Sequence, residues 1–571
     1  MRKSLQVWLP ILLICLATVA ASAQSFRVQC PTSTITHPVA ANNNSEPAYN
    51  GPTVFTTNAQ GYVTPTANIN GAIKCQQVSG GDGYSTMADG TQTFMFSFGP
   101  LSGLADIAKG LPGTQFPAVF NTVYPGTLLP GDPATTDGAT SGASLGLPIF
   151  TYNGAVGLVP DLDAIAGGIC SAPCLDGHVD PRQIMDVGVM NGNIPAPLVA
   201  FDEDDEMFLT LTNVGMLMRP DLFEQHTIHF HGYPNASSFY DGVPDASVAI
   251  NIGGSFTYYY LAPDAGTYFW HCHITPPEHL QMGMVGQLYV RPRQDRVPLG
   301  TSLYTALQQQ NGVATGQTVV DLRTACNPAN DILCSAYTPA INTGATQGPD
   351  KLGNPQKYVY NDGDGSTAYD VEYAIQMHDF DPNFHFVGMT FNPEAFVDMK
   401  GKYFLLNGRS YPDTVTAGPQ ATVSSDTRMH YSQPLPTVIN IPAGGRASLR
   451  LVNLSVEQYH TLGTLGIPMK EIGFNAKLLR DQAGNNTEFY TNSITLGGGE
   501  SLDVILDASD AGCGFTGCAQ QLYPAGSVFY IYTTNLDHLS NDAENFGGMM
   551  AEVHICTPKS GNGTAPQTCN F

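Results

Sequence analysis

The chain has 571 residues, of which 42% are hydrophobic and only 12% charged, with 60 Gly and 41 Pro; this composition folds into packed domains and excludes a collagen helix, a coiled coil and a charge-rich disordered chain. The formal charge is −25, and Lys and Arg together number 23, which excludes nucleic acid as a partner and disfavours an anionic membrane surface. Cations and small neutral molecules suit such a surface better.

In chain order, Arg2 and Lys3 precede an apolar run from Val7 to Ala20, and Ala21-Ser22-Ala23 offers the small residues of a cleavage site. This pattern predicts an export signal over 1–23. No later stretch reaches the roughly 18 uninterrupted apolar residues of a spanning helix, so the expected mature chain has no membrane span and is secreted, periplasmic or held at the cell surface. Setting aside Cys15 and Cys272, ten cysteines remain: Cys30, Cys75, Cys170, Cys174, Cys326, Cys334, Cys513, Cys518, Cys556 and Cys569. An even number, mostly in close pairs, predicts up to five disulfides in an oxidising compartment. Cys170 and Cys174 read as a disulfide rather than a zinc knuckle, because no second Cys/His pair stands at zinc spacing.

Residues 24–90 are rich in Asn, Thr, Gly and Pro and predict a loop-dominated extension, stapled by Cys30 and Cys75. Thr93–Phe98, Met207–Thr212 and Ser448–Asn453 alternate apolar and polar residues, the pattern of half-buried strands. An all-β chain of two β-sandwiches follows. The first spans 91–293 with a Gly/Pro-rich insertion at 99–180; a linker over 294–367 leads to the second at 368–558, and 559–571 is a tail. An internal repeat supports the pair. Asn191-Gly192 matches Asn407-Gly408, Glu224-Gln225-His226 matches Glu457-Gln458-Tyr459-His460 after one insertion, and Gly266–His273 matches Gly526–Thr533.

Six of the 14 histidines lie between His226 and His279, together with Cys272. A strand alternates its side chains, so His229 and His231 share one face, and His271 and His273 share a face opposite Cys272. Two metal environments on opposite faces result. On the Cys272 side the partners are His226, His279 and Met284, with Met282 as the alternative thioether. One thiolate, two imidazoles and a weak thioether form the ligand set of an electron-transfer copper.

The run His226-Thr227-Ile228-His229-Phe230-His231-Gly232 and the run His271-Cys272-His273, followed by His279 and Met284, resemble the copper motifs of the cupredoxin domain in multicopper oxidases such as laccases and ceruloplasmin. The resemblance covers the first sandwich well and the second weakly. It implies Greek-key cupredoxin-like sandwiches and a type 1 blue copper at His226, Cys272, His279 and Met284. It also implies that His229, His231, His271 and His273 contribute to a type 2/type 3 copper centre that reduces oxygen to water, linked to the blue copper through Cys272. The implied function is a multicopper-oxidase-type oxidoreductase that takes single electrons from a reducing substrate, a phenol or a low-valent metal ion. Parts of the first sandwich are also similar to the bacterial manganese-oxidase-type branch.

Two departures qualify the match. The loop from Cys272 to His279 is two residues longer than in laccases. The family's cluster uses eight histidines, whereas four stand in matching positions here. The second sandwich places Gly463 and Leu465 where His229 and His231 stand, and Ile531, Tyr532 and Thr533 where His271, Cys272 and His273 stand, leaving His460 and His538 near ligand positions. A complete cluster therefore calls for a homo-oligomer, with His460 and His538 of the partner subunit as candidate ligands. A copper nitrite reductase is a poorer match, because Leu465 stands where that family has a catalytic His and His229 where it has an Asp. The non-enzymatic alternative is a copper-binding electron carrier. Lesser candidates are the acidic run Asp202–Glu206, read as a solvated turn or as an attractor for a cationic substrate; a loop metal site at His378 and His385; and glycosylation sequons at Asn235 and Asn453.

Overall fold

The computed structural model describes residues 34–38, 46–59, 61, 63–101, 190–234, 237–308, 344–390, 395–423, 429–481 and 484–557. The proposed signal, nearly all of the 99–180 insertion, the tail, Asn235 and seven of the cysteines (Cys15, Cys30, Cys170, Cys174, Cys326, Cys334 and Cys569) lie outside these residues. The alternating runs form strands as expected. The first sandwich is built from β1 (Ile73–Thr86), β2 (Gln92–Pro100), β3 (Val199–Asp202), β4 (Glu206–Gly215), β5 (His229–His231), β6 (Ser255–Leu261), β7 (Gly266–His271), the short helix α1 (Pro276–Gln281) and β8 (Val285–Arg291). One sheet has the order β2-β1-β4-β6 and the other β3-β8-β7-β5.

Two expectations need correction here. The 14-residue strand β1 lies inside the segment assigned to a loop-dominated extension. It pairs antiparallel with β2 and parallel with β4, so it sits inside the sheet, and the first sandwich begins near Ile73 rather than Thr91. Its glycines hide it from a periodicity reading, and packing explains them: a Cβ on Gly81 would stand 2.6 Å from Val214, and one on Gly83 2.7 Å from the Gly192 carbonyl. The linker, in turn, is partly folded. Leu303 and Leu307 of a short helix form a small core with Tyr49, Val297, Tyr358 and Ala368.

The second sandwich repeats the first. Its strands are β9 (Val371–Phe380), β10 (Tyr403–Leu406), β11 (Ile439–Pro442), β12 (Arg446–Asn453), β13 (His460–Leu465), β14 (Met469–Phe474), β15 (Lys477–Leu478), β16 (Phe489–Thr491), β17 (Ser493–Leu496), β18 (Ser501–Asp507), β19 (Val528–Thr533) and β20 (Met550–Cys556), with α2 (Pro382–Thr390) after β9. One sheet orders β10-β9-β12-β18-β14-β15 with β16 also on β14, the other β11-β20-β19-β13-β17. The parallel pairs β1/β4 and β3/β8 of the first sandwich recur as β9/β12 and β11/β20. Disulfides tie down parts of this frame: Cys513 is bonded to Cys518, and Cys75 and Cys556 are also in disulfides, while Cys272 is free and buried.

The sandwiches pack closely. β2 and β4 are buried along both faces rather than half-buried. Phe94, Phe96 and Phe98 fill the first core, while Met95 joins Phe380, Tyr403, Leu405 and Val452 of the second sandwich. Charge also crosses this boundary. The Glu372 carboxylate accepts from Arg291 Nε at 2.8 Å and from Arg450 Nε at 3.2 Å, and the Arg450 guanidinium lies 4.5 Å from the centre of the Tyr289 ring.

The acidic run Asp202–Glu206 is neither a solvated turn nor an open attractor for cations, because all five side chains are buried. Arg293 and Arg296 neutralise it. Asp204 accepts from Arg293 Nε at 2.9 Å, from Arg293 Nη2 at 2.7 Å and from Arg296 Nη2 at 3.1 Å. Glu203 pairs with Arg293 at 3.1 Å and with Asn361 at 2.6 Å, and Glu206 with His37 at 2.6 Å. The Asn453 sequon is likewise structural, since its buried amide donates to the carbonyls of Gln458 and Leu496.

Removing one partner of such a network strands buried charge, so Asp204→Asn should destabilise the fold by about 3–5 kcal/mol. Chemical denaturation checks this, and a loss under about 1 kcal/mol would contradict the network's role. A second expectation concerns acid. Burial alone would raise Glu372, but Arg291 and then Arg450 outweigh it and hold the carboxyl at about 2, below its ordinary 4.5. The stabilisation is therefore complete above pH 4.5 and disappears as pH falls towards 2. It amounts to about 3 kcal/mol. Unfolding midpoints of the wild type and Glu372→Gln should converge across that window; a gap that stays constant with pH would refute the assignment.

Candidate metal centre

Strand β7 ends at His271, and the chain continues extended through Cys272 and His273, directing Cys272 into the sandwich and its neighbours out of it. Cys272 Sγ lies 3.2 Å from His279 Nδ1 and 4.0 Å from His226 Nδ1, and the Thr227 amide donates to it at 3.4 Å. All three side chains are fully buried. Register favours Met284 over Met282 as the thioether: the Cys272 amide donates to the Met284 carbonyl, so Met284 stands across from Cys272, while the Met282 side chain lies against Gly388. The stretch between Cys272 and His279 includes the start of α1, with Pro276 in its first turn and His279 on its inner side.

Electrostatics favour the thiolate. Burial would raise Cys272, but His279 and His226 outweigh it and hold the thiol well below its ordinary value. Burial would lower His279, yet the neighbouring sulfur and Glu224 raise it to about 9. Glu224 Oε2 stands 3.6 Å from His279 Nε2, an ion-pair distance too long for a hydrogen bond. A soft thiolate, two converging imidazole nitrogens and a thioether in a dry pocket suit copper in either oxidation state.

On the other face, His229, His231, His271 and His273 line one cavity of about 340 Å³. The nitrogens of His229, His231 and His271 lie within 4.8 Å of one another, with His231 Nδ1 3.4 Å from His271 Nε2. The His273 ring is 5.0 Å from that of His229. Partners fix two tautomers: His229 Nδ1 donates to the Asp241 carbonyl at 2.7 Å and His271 Nδ1 to the Cys272 carbonyl at 2.8 Å, so that each Nε2 carries a lone pair, the one on His271 facing His231 Nδ1. Burial lowers His229, pushes His231 down to about 4 and His271 to about 3, so these imidazoles are neutral donors at pH 7.

The second sandwich closes part of this cavity with Leu454, Ser455, Val456, Gly498 and Gly499, and among the described residues no imidazole of that sandwich lines it. His460 and His538 are buried within their own sandwich, so neither can reach the cluster of another chain. The register of the repeat also shifts by one residue. The Thr533 amide donates to the Met549 carbonyl, and the Met549 amide to the His538 carbonyl, as Cys272 does to Met284 and Met284 to His279. Thr533, not Tyr532, therefore occupies the position of Cys272.

His378 and His385 do not form a loop metal site. His378 Nε2 contacts the Leu280 carbonyl at 3.1 Å; His385 Nε2 contacts the Gln281 carbonyl at 2.9 Å and its Nδ1 the Phe94 carbonyl at 2.5 Å. Both clamp the end of α1. Sequence reasoning did not single out Glu224 as a partner of His279, Asp241 or Gly80. Glu224 was visible only as part of the Glu-Gln-His repeat.

The sequence profile of the multicopper oxidase family matches residues 176–295. Over 116 residues, 20% of this chain, the sequence is 34% identical to "Multicopper oxidase MCE" of Talaromyces pinophilus, covering 18% of it. Over 109 residues, 19% of this chain, it is 34% identical to "Laccase abr2" of Aspergillus fumigatus, covering 17% of that protein. The match thus spans less than a fifth of either relative. Among solved structures, the blue copper oxidase of Nitrosomonas europaea aligns with a TM-score of 0.43 at 16% identity, covering 85% of this chain and 86% of that one. Residues 176–295, the stretch that matches the multicopper oxidase family, contain all eight candidate donors.

Gly80 supports the His226 ring: a Cβ there would stand 2.7 Å from His226 Cδ2. Gly80→Ala should therefore displace the ring and change the visible absorption of the Cu(II)-loaded protein, at a stability loss of about 1–3 kcal/mol. An unchanged spectrum in the folded variant would show that His226 does not help to define the metal's surroundings.

Proposed function

We propose that this protein is a copper oxidoreductase of the multicopper oxidase type, which removes single electrons from a small reducing substrate beside Glu224 and His279 and delivers them to the four-histidine cavity, with oxygen as the acceptor. The observation that carries this reading is the placement of Cys272, whose Sγ faces two imidazole nitrogens while its carbonyl accepts from His271. Copper bound by His226, Cys272, His279 and Met284 supplies a one-electron couple; copper held by His229, His231, His271 and His273 supplies an oxygen-reactive centre. The chain's own part is connection and exclusion. Cys272 is covalently joined to His271 and His273, and the His271–Cys272 hydrogen bond shortens the path between the two faces. Phe96, edge-on to His279 at 5.1 Å between ring centres, helps keep water from the buried site.

The Glu224 carboxylate gives the substrate side a negative, proton-accepting group, which favours phenols and low-valent metal cations over anionic reductants. The disulfides at Cys75, Cys513–Cys518 and Cys556 support a site of action outside the cytoplasm. A second reading is an electron carrier with one metal in the four-imidazole cavity, and it is favoured by the absence, among the described residues, of any imidazole of the second sandwich from that cavity.

Oxygen uptake separates the two readings. The oxidase reading expects more than one copper per chain and oxygen consumption driven by a phenol or by Mn(II). Cys272→Ser should abolish both the intense visible absorption and the uptake, since an alcohol cannot replace the charge-transfer-active thiolate. Colour that survives this substitution would overturn the assignment of Cys272. Measurement across a dilution series tests whether a second copy is needed: activity lost with dissociation indicates a shared cluster, and full activity in a monomer excludes one.

A further inference from the structure

The repeat register places His460, Thr533, His538 and Met549 in the second sandwich where His226, Cys272, His279 and Met284 stand in the first. The rings of His460 and His538 are 5.3 Å apart at 68°, against 5.4 Å and 63° for His226 and His279. Thr533, Met549 and His460 are fully buried and His538 is 3% exposed. The Nδ1 atoms of both His460 and His538 are buried without a hydrogen-bond partner. Two orphaned imidazole nitrogens in a dry core carry a desolvation cost that a ligand would remove.

The remaining contacts are set as they are around metal-binding imidazoles. His460 Nε2 faces the Asp379 carboxylate at 3.1 Å and the Ser455 hydroxyl at 2.6 Å, so it carries the proton and leaves Nδ1 as a donor. His538 Nε2 contacts the Asn535 side-chain amide at 3.0 Å, and a half-turn of that amide presents its oxygen to Nε2–H and frees His538 Nδ1. With the thiolate replaced by a hydroxyl, the donors are uncharged. One negative charge, on Asp379, lies behind His460. A monovalent cation is thereby compensated, whereas a divalent one would leave a net buried charge. Two imidazoles and a thioether favour the soft monovalent ion.

We propose that the second sandwich holds a Cu(I) ion at His460, His538 and Met549, colourless because Cu(I) has a filled d shell and because Thr533 replaces the thiolate that would give Cu(II) its charge-transfer band. The site is independent of whether the first sandwich is an oxidase or a carrier.

The test uses the full chain, freed of metal and titrated anaerobically with Cu(I) against a chromophoric chelator. His538→Gln and Met549→Leu should each bind one Cu(I) fewer per chain than the wild type, with the visible absorption of the Cys272 site in the Cu(II) protein unchanged. Equal stoichiometry in all three proteins would overturn the proposal. A gain-of-function arm is independent of that count: Cys272→Ser combined with Thr533→Cys should restore an intense thiolate-to-copper band that Cys272→Ser alone lacks. A folded double variant, verified by circular dichroism, that stays colourless with Cu(II) would also overturn it.

Discussion

Along β7 and its continuation to His273, each peptide unit turns the next side chain to the opposite face of the sheet. That alternation puts Cys272 among Phe96, His226, His279 and Met284 in the core, and His271 and His273 into a cavity at the sandwich boundary. A one-residue slip would exchange the two sets, so strand register here is a chemical specification as well as a structural one. The pairing of β7 with β8 and β5 enforces it: Val285 lies opposite His271, and His229 lies opposite His271 on the other side.

The second sandwich is a scaffold for the first as well as a duplicate of it. It supplies Leu454, Ser455 and the 498–499 turn to the four-histidine cavity, and it presents His378 and His385 to carbonyls at the end of α1. Thr267 bonds to Asp503 and Ser501 to the Thr267 carbonyl, which fixes β7 itself against β18. A site built on one domain is thus held in shape by another.

Much of the centre could be read from residue types, because a lone thiol among six histidines has few uses other than metal binding. The alternation of Thr93–Phe98 likewise announced its strand. What escaped did so for physical reasons. Ile73–Thr86 carries Gly80, Gly81 and Gly83, which allow close packing against His226, Val214 and Gly192 but erase the apolar alternation. The acidic run looked solvated because its neutralising partners, Arg293 and Arg296, are distant in sequence. The sequence alignment of the repeat is one residue out because Gly526 to Thr533 is one residue longer than Gly266 to Cys272, and only the hydrogen-bond register reveals that Thr533 answers to Cys272.

The clamp on α1 bears on how the centre responds to a change of charge. The helix that carries His279 is pinned at Leu280 and Gln281 by imidazoles of the neighbouring sandwich, and the Met284 amide is bonded back to the His279 carbonyl. Ligand positions set from outside in this way cannot relax freely when a bound metal gains or loses an electron. Under the proposed function, the nuclear rearrangement accompanying each transfer would therefore be small, and the reorganisation energy would be set by the packing of one sandwich on the other as much as by the donors themselves.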